Sequence, residues 1–298
     1  MYSSLALWRD RRGRVSALRI MVLALLVMPI GLAIYGAATE TGYDARPLNN
    51  LIHRTGYWAL MFVLTSLAIT PLRRIARFGQ LVDVRRMIGV GAFCYAATHI
   101  FLFIADQMFD LVKVVTEIAL RLYLTIGFIA LTGLMALAVT STDAMVRRLG
   151  GLRWNRLHQL IYGITLLAII HFFQQTKADI WLPTFVASLF AWMMGYRLII
   201  WRQKGNAEPS PIMLVALAVV VSALTFIAEA IGIGIAFSVS PAVVLQMAFD
   251  VDLENFDIRP GWLVLAAGLC MVILDIVRAR LRKPRPRPTT PAAAKQAA

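Results

Sequence analysis

Eight apolar stretches constrain this chain more than any other feature. They run at about 20–38, 55–71, 87–105, 120–140, 157–173, 180–200, 212–237 and 261–277. Each is near the ~20 residues that a helix rising about 1.5 Å per residue needs to cross ~30 Å of hydrocarbon. Lipid offers a peptide group no hydrogen-bond partner, so stretches of this length satisfy their backbone internally, as helices. The expected fold class is an all-α polytopic membrane protein. Of the 298 residues 59% are hydrophobic and only 15% charged, against about 25% charged in soluble domains. The two cysteines, Cys94 and Cys270, both lie in apolar runs. That argues against a disulfide framework, an iron–sulfur cluster and a cysteine-rich zinc site.

The net charge of +14 does not point to nucleic acid, because the basic residues gather at the ends of apolar stretches. There they orient the chain and touch anionic headgroups of the lipid bilayer. The N-terminal segment carries five: Arg9, Arg11, Arg12, Arg14 and Arg19. The loop after span two adds Arg73, Arg74, Arg77, Arg85 and Arg86, and the loop after span four adds Arg147, Arg148, Arg153 and Arg156. Arg197, Arg202 and Lys204 gather at the end of span six, and seven more follow from Arg278. Alternating spans thus put 24 of 30 basic residues on one side. The other side has an acidic last loop with Asp250, Asp252, Glu254 and Asp257. Both termini are expected in the cytoplasm of a bacterial inner-membrane protein. The first apolar run exceeds the ~7–15 residues of a signal h-region and is read as a retained helix.

Composition divides the chain into a basic N-terminus at 1–19, six spans at 20–205, a two-helix extension at 206–277 and a tail at 278–298. The seam is the proline-containing NAEPSP at 206–211. The tail, proline-rich and basic without apolar periodicity, is expected to be a disordered topology anchor.

Three of the four histidines fall inside apolar spans: His99, His158 and His171. An ionisable side chain there is costly and is by default a functional-site hypothesis. His99 lies ~18 Å along span three from its cytoplasmic start, and His171 lies ~20 Å beyond His158 on span five. His99 and His171 therefore share a depth in the outer half, where two imidazoles on neighbouring helices could fill both axial positions of one haem iron. The other reading is a pair of bundle histidines bonded to carbonyls. His158, near the cytoplasmic surface, falls about 140° from His171 around a straight helix, so a change of winding or a second cofactor is implied. His53, at the outer mouth of span two beside Arg54, reads better as an interfacial hydrogen-bonded histidine than as a ligand.

The stretches LIHRTGYWAL with LAITPL, RRMIGVGAFCYAATH, TSTDAMVRRLG and RWNRLHQLIYGITLLAIIHFF, in order across roughly 20–205, resemble the MsrQ (YedZ) family. These are haem-binding membrane subunits of the bacterial methionine sulfoxide reductase system, within the ferric-reductase-like transmembrane group. The resemblance implies a six-helix haem bundle with b-type haem and FMN. It implies electron delivery across the inner membrane to a periplasmic molybdenum-cofactor methionine sulfoxide reductase subunit of the MsrP type, which repairs oxidised proteins. On the matching positions, His99 and His171 correspond to the outer haem pair and His158 to the inner histidine of span five. Oxidase relatives carry a further histidine fourteen residues before the outer one, where this chain has Arg85. A guanidinium has no lone pair for iron. One haem or two therefore stay open, and Arg85 reads either as a haem-propionate or FMN-phosphate contact or as one more topology arginine. The resemblance stops short of 206–298.

The leading function is a transmembrane electron conduit. No GxGxxG-type nucleotide fingerprint is visible, so a cytoplasmic flavin reductase or a quinone must supply electrons. The alternatives are a haem-containing ferric or oxygen reductase and a histidine-relay transporter. The internal repeats or paired broken helices of a transporter are not evident.

Overall fold

The computed structural model describes residues 8, 13–38, 47–176, 179–204, 208–248 and 258–281. The arginines at 9–12, the acidic loop at 250–257 and the tail beyond 281 lie outside the described residues. Among those described, eight helices are long and apolar enough to cross a membrane, and the chain is a multi-pass membrane protein. They are α1 (Ala17–Ala38), α2 (Pro47–Ile75), α3 (Leu81–Asp106), α5 (Leu122–Val139), the pair α7 (Gly151–His158) and α8 (Ile161–Thr176), α9 (Trp181–Arg202), α10 (Pro211–Phe237) and α12 (Pro260–Arg280). Shorter helices α4 (Leu111–Leu120), α6 (Asp143–Leu149) and α11 (Pro241–Met247) lie in the connections.

Local sequence sets the boundaries. Ser210 accepts the amide of Met213, and Pro211, whose missing N–H costs nothing at a first turn, opens α10. Asp110 likewise caps α4 through Lys113, and Thr142 caps α6 through Met145. Gly150 takes φ 74°, a left-handed conformation that lets α6 stop and α7 start at once.

The central helix is α2. Half of its apolar window is buried, against 11–33% for the other spans. It packs along α3 and touches α8, α9 and α12. Pro71 reads in the sequence as the end of span two, yet α2 runs on to Ile75 with Pro71 inside it. Proline leaves the carbonyl four residues earlier, Leu67 O, without its helical donor. Arg197 of α9 supplies one: Nη2 donates to Leu67 O at 2.6 Å, while Nη1 donates to Met193 O at 2.9 Å. A neighbouring helix re-satisfies the freed group, which is how membrane helices tolerate interior proline.

Span five also differs from a single run over 157–173. It is broken at Gln159–Leu160, where Leu160 N bonds Leu157 O and Tyr162 N bonds Gln159 O, each at 3.1 Å. These three-residue steps turn about 20° further per residue than α-helical ones. They narrow the angle between His158 and His171 that a straight helix would impose. The arginine loop 141–156 is largely helical, as α6 and α7.

The C-terminal helices pack on α9. Ser222 donates to Gly261 O and Thr225 to Ser188 Oγ, each at 2.8 Å, and Trp181 Nε1 donates to Ile258 O at 3.0 Å. Small residues allow the close approach: Gly268 faces Ala218 and Trp192, and Gly195 faces Leu217. Buried Glu229 of α10 pairs with Arg259 at 3.5 Å. Helix α12 continues through Arg280, two residues past the start expected for the tail.

Candidate functional site

Helices α2, α3, α5 and α8 enclose a cavity of about 280 Å³. Leu60, Val63, Ala96, Leu131, Ile164 and Ala168 make its walls apolar. Most of its polar groups gather toward one end, among them Asn49, His53, His99, Asp106, His171 and Gln175, while Thr165 lies deeper. Such a mainly apolar chamber with a few convergent polar atoms is the usual form of a cofactor site.

His99 reaches it from α3 and His171 from α8. The ring centres are 6.3 Å apart and the planes 83° to one another. Each Nδ1 lies against a backbone carbonyl: His99 on Ile52 O at 2.8 Å, His171 on Tyr123 O at 2.7 Å. A carbonyl only accepts, so each Nδ1 carries a proton and, in the neutral ring, each Nε2 keeps its lone pair. Neither Nε2 has a hydrogen-bond partner among the described residues. A metal–imidazole bond of about 2.0–2.1 Å, plus about 1.1 Å from nitrogen to ring centre, puts two axial imidazoles with centres about 6.3 Å apart. The observed spacing therefore fits one metal ion between them. A haem fits better than a bare cation, because no third His, Cys, Asp or Glu completes a metal cluster among the described residues. The surrounding walls suit a porphyrin's apolar faces.

The other histidines are placed differently. His53, in the second turn of α2, donates from Nδ1 to Asn49 O at 2.8 Å, and its Nε2 meets Gln175 Nε2 at 3.0 Å. Both nitrogens are engaged at the cavity's mouth, which leaves His53 no lone pair for iron. His158 does not line the cavity. Its ring stacks on Trp154 at 3.8 Å, and its Nδ1 donates to Trp154 O at 3.1 Å. Nε2 faces Ser141 Oγ at 3.3 Å, while that hydroxyl's single proton has Leu137 O closer, at 2.7 Å.

Arg85 stands at the end of α3 toward the basic loops, half-buried and near His158. It has no hydrogen-bond or ion-pair partner among the described residues, whereas its neighbour Arg86 bonds Asp143 at 2.5 Å. A free, partly buried guanidinium is suited to a phosphate or carboxylate. In the sequence Arg197 counts only as a topology charge, but its guanidinium turns into the bundle, 5.4 Å from the centre of the Tyr162 ring. Its position before the end of span six, inside apolar sequence, was the available signal. Gln175, and Gly56 and Gly127 against the two imidazoles, were missed because nothing in a single helix's pattern marks them.

Residues 55–169 match the family described as ferric reductase like transmembrane component. The MsrQ haem-binding subunit of protein-methionine-sulfoxide reductase from Rhodospirillum rubrum is 37% identical over 206 residues, 68% of this chain and 96% of that protein. Its counterpart from Herminiimonas arsenicoxydans is 36% identical over 202 residues, covering 65% of this chain and 91% of that one. The one from Xanthomonas oryzae pv. oryzae is 43% identical over 162 residues, covering 53% and 74%. No solved structure matches the chain.

Proposed function

The chain belongs to the MsrQ family, and from that premise we propose that it is a transmembrane electron conduit holding b-type haem between His99 and His171. The observation that carries this is the pair of imidazoles in one cavity, each with Nδ1 on a carbonyl and Nε2 unpartnered among the described residues, with ring centres 6.3 Å apart. When bound, haem supplies a one-electron iron couple. The residues around it do the rest. Ile52 O and Tyr123 O fix the tautomer of each ligand and raise its basicity. The apolar walls exclude water from the iron.

Electrons enter, in this reading, at the basic cytoplasmic end. Arg85 and the arginines of 72–86 and 141–156 receive the phosphate of FMN there, or a haem propionate. The donor is a soluble flavin reductase or a quinone, and the acceptor is a periplasmic molybdenum-cofactor methionine sulfoxide reductase subunit. His158 serves this entry side, and any second haem there is held less securely, with Arg85 where a fourth histidine would stand. The polar mouth at Asn49, His53 and Gln175 faces the acceptor. Residues 20–205 form the haem-carrying unit and 206–277 an extension packed against it.

A visible spectrum of the purified protein tests the core of this reading. A Soret band that shifts on dithionite reduction is expected, and a colourless protein from haem-sufficient cells would overturn it. His158→Ala is expected to keep a substantial haem spectrum, because that ring lies outside the cavity, while lowering electron entry from the cytoplasmic side. Complete haem loss in that variant would show that the two ends are not separate sites. For orientation in the inner membrane, reporters fused at residues 80 and 290 are expected to be cytoplasmic and one at 254 periplasmic. A periplasmic signal at 290 would mean that α10 or α12 does not cross.

A further inference from the structure

His99 and His171 meet their partner helices in the same way. On α2, the carbonyl that accepts from His99 belongs to Ile52, and four residues later stands Gly56. On α5, the carbonyl that accepts from His171 belongs to Tyr123, and four residues later stands Gly127. In an α-helix the amide of residue i+4 bonds carbonyl i. Each carbonyl thus takes the glycine's own amide and an imidazole on its two lone pairs; the Thr55 hydroxyl also lies 3.0 Å from Ile52 O, but its single proton has Leu51 O closer, at 2.8 Å. A side chain at the glycine would press on the imidazole. A Cβ at Gly56 would lie 3.0 Å from Nδ1 and 3.1 Å from Cε1 of His99. One at Gly127 would lie 2.8 Å from Nδ1, 2.9 Å from Cε1 and 3.1 Å from Cγ of His171. The atom approached most closely at each seat is Nδ1, the one that holds the carbonyl, so crowding there bears directly on that bond.

We propose that Gly56 and Gly127 are positioning residues for the two haem ligands, matched carbonyl-and-glycine seats that set the plane and the basicity of each axial imidazole. The inference rests on the haem reading above. An Nδ1–H donated to a carbonyl makes the ring a stronger electron donor and favours the ferric state. The two seats also hold the ring planes 83° apart, an angle that governs the anisotropy of the low-spin ferric electron paramagnetic resonance signal. A methyl group at either glycine turns the ring and weakens that bond. The midpoint potential should rise and the ferric signal change shape.

Gly133 provides the control. It lies on α5, and a Cβ there would meet Ile164 of α8 at 2.8 and 2.9 Å. Gly133→Ala therefore also crowds the α5–α8 pair, through the end of the cavity-wall side chain of Ile164 and not through a histidine. The full-length protein and the three alanine variants are compared by haem content, redox titration and low-temperature electron paramagnetic resonance. The upward shift should be largest for Gly127→Ala, smaller for Gly56→Ala and absent for Gly133→Ala. Haem loss from Gly127→Ala while Gly133→Ala stays loaded supports the proposal equally. Unchanged potential and line shape in both Gly56→Ala and Gly127→Ala, or an equal change in Gly133→Ala, overturns it. A wild-type protein without haem overturns the haem reading and this inference together, whereas a loaded wild type with silent glycine variants overturns this inference alone.

Discussion

His99→Ala and His171→Ala are each expected to lose most of the cavity's haem, and the double substitution to be little worse than either single one. The two rings line one cavity with their centres 6.3 Å apart, and each is held by an Nδ1–carbonyl bond. Removing one ring frees a coordination position, and loss of His171 also leaves Tyr123 O without its second donor in a low-dielectric interior. Two residues acting on one ligand are not additive, because the first loss already removes what the second would. His53→Ala should keep its haem, since both nitrogens of His53 are spent on Asn49 and Gln175. Pyridine haemochrome per protein measures occupancy, and reduction of the periplasmic partner in membranes measures delivery. Normal haem in both single variants would sink the bis-histidine assignment and the electron-conduit reading with it.

The eight spans were legible because length and apolarity alone specify a membrane helix. What composition could not show was how the backbone departs from a uniform rod. Pro71 reads as a terminus because its effect on a lone helix is to stop it; the donor that lets α2 continue comes from Arg197, 126 positions later in the chain. The break at Gln159–Leu160 was implied only by the angular mismatch between His158 and His171. Helix α4 sat unseen in the connection between spans three and four. Its ten residues are too few to cross a bilayer and so gave no span signal.

The site divides the same way. Depth can be counted along a helix, and counting put His99 and His171 at one level; the structure brings them together in one cavity. Rotation about each helix axis and the separation of neighbouring helices cannot be counted. The carbonyl partners of the two imidazoles, the glycines opposite them and the Gln175–His53 contact all depend on those two quantities. Arg85 was legible as a departure from the oxidase pattern, and its lack of a partner emerged only from the packed bundle. The proline-containing seam at 206–211 marked two C-terminal spans apart from six others, and nothing in the sequence indicated how Thr225, Ser222 and Gly268 seat α10 and α12 closely against α9 and each other.

Arg197→Glu is expected to abolish most of the folded, haem-loaded protein. The guanidinium gives two N–H donors to Leu67 O and Met193 O, and a carboxylate there would turn acceptor against acceptor. Leaving one buried carbonyl unpaired costs about 1–3 kcal/mol, and more when a charge is involved. Arg197→Met separates the parts: it removes the donors and also relieves the cost of holding a charge in the bundle, so the single variant reports a difference of two terms. The carbonyl's share is isolated by Pro71→Ala, which restores the amide that Leu67 O lacks. In the Arg197→Met background Pro71→Ala should recover stability, because its new N–H takes an empty acceptor. In the wild-type background the same change competes with Arg197 and should gain less. The expected coupling is about 1 kcal/mol or more between positions that share one acceptor, read from the temperature at which haem is released in detergent. Additive effects of Pro71→Ala and Arg197→Met would mean that Arg197 does not replace the missing proline donor. The cost of keeping an arginine inside this bundle would then require another ligand to explain it.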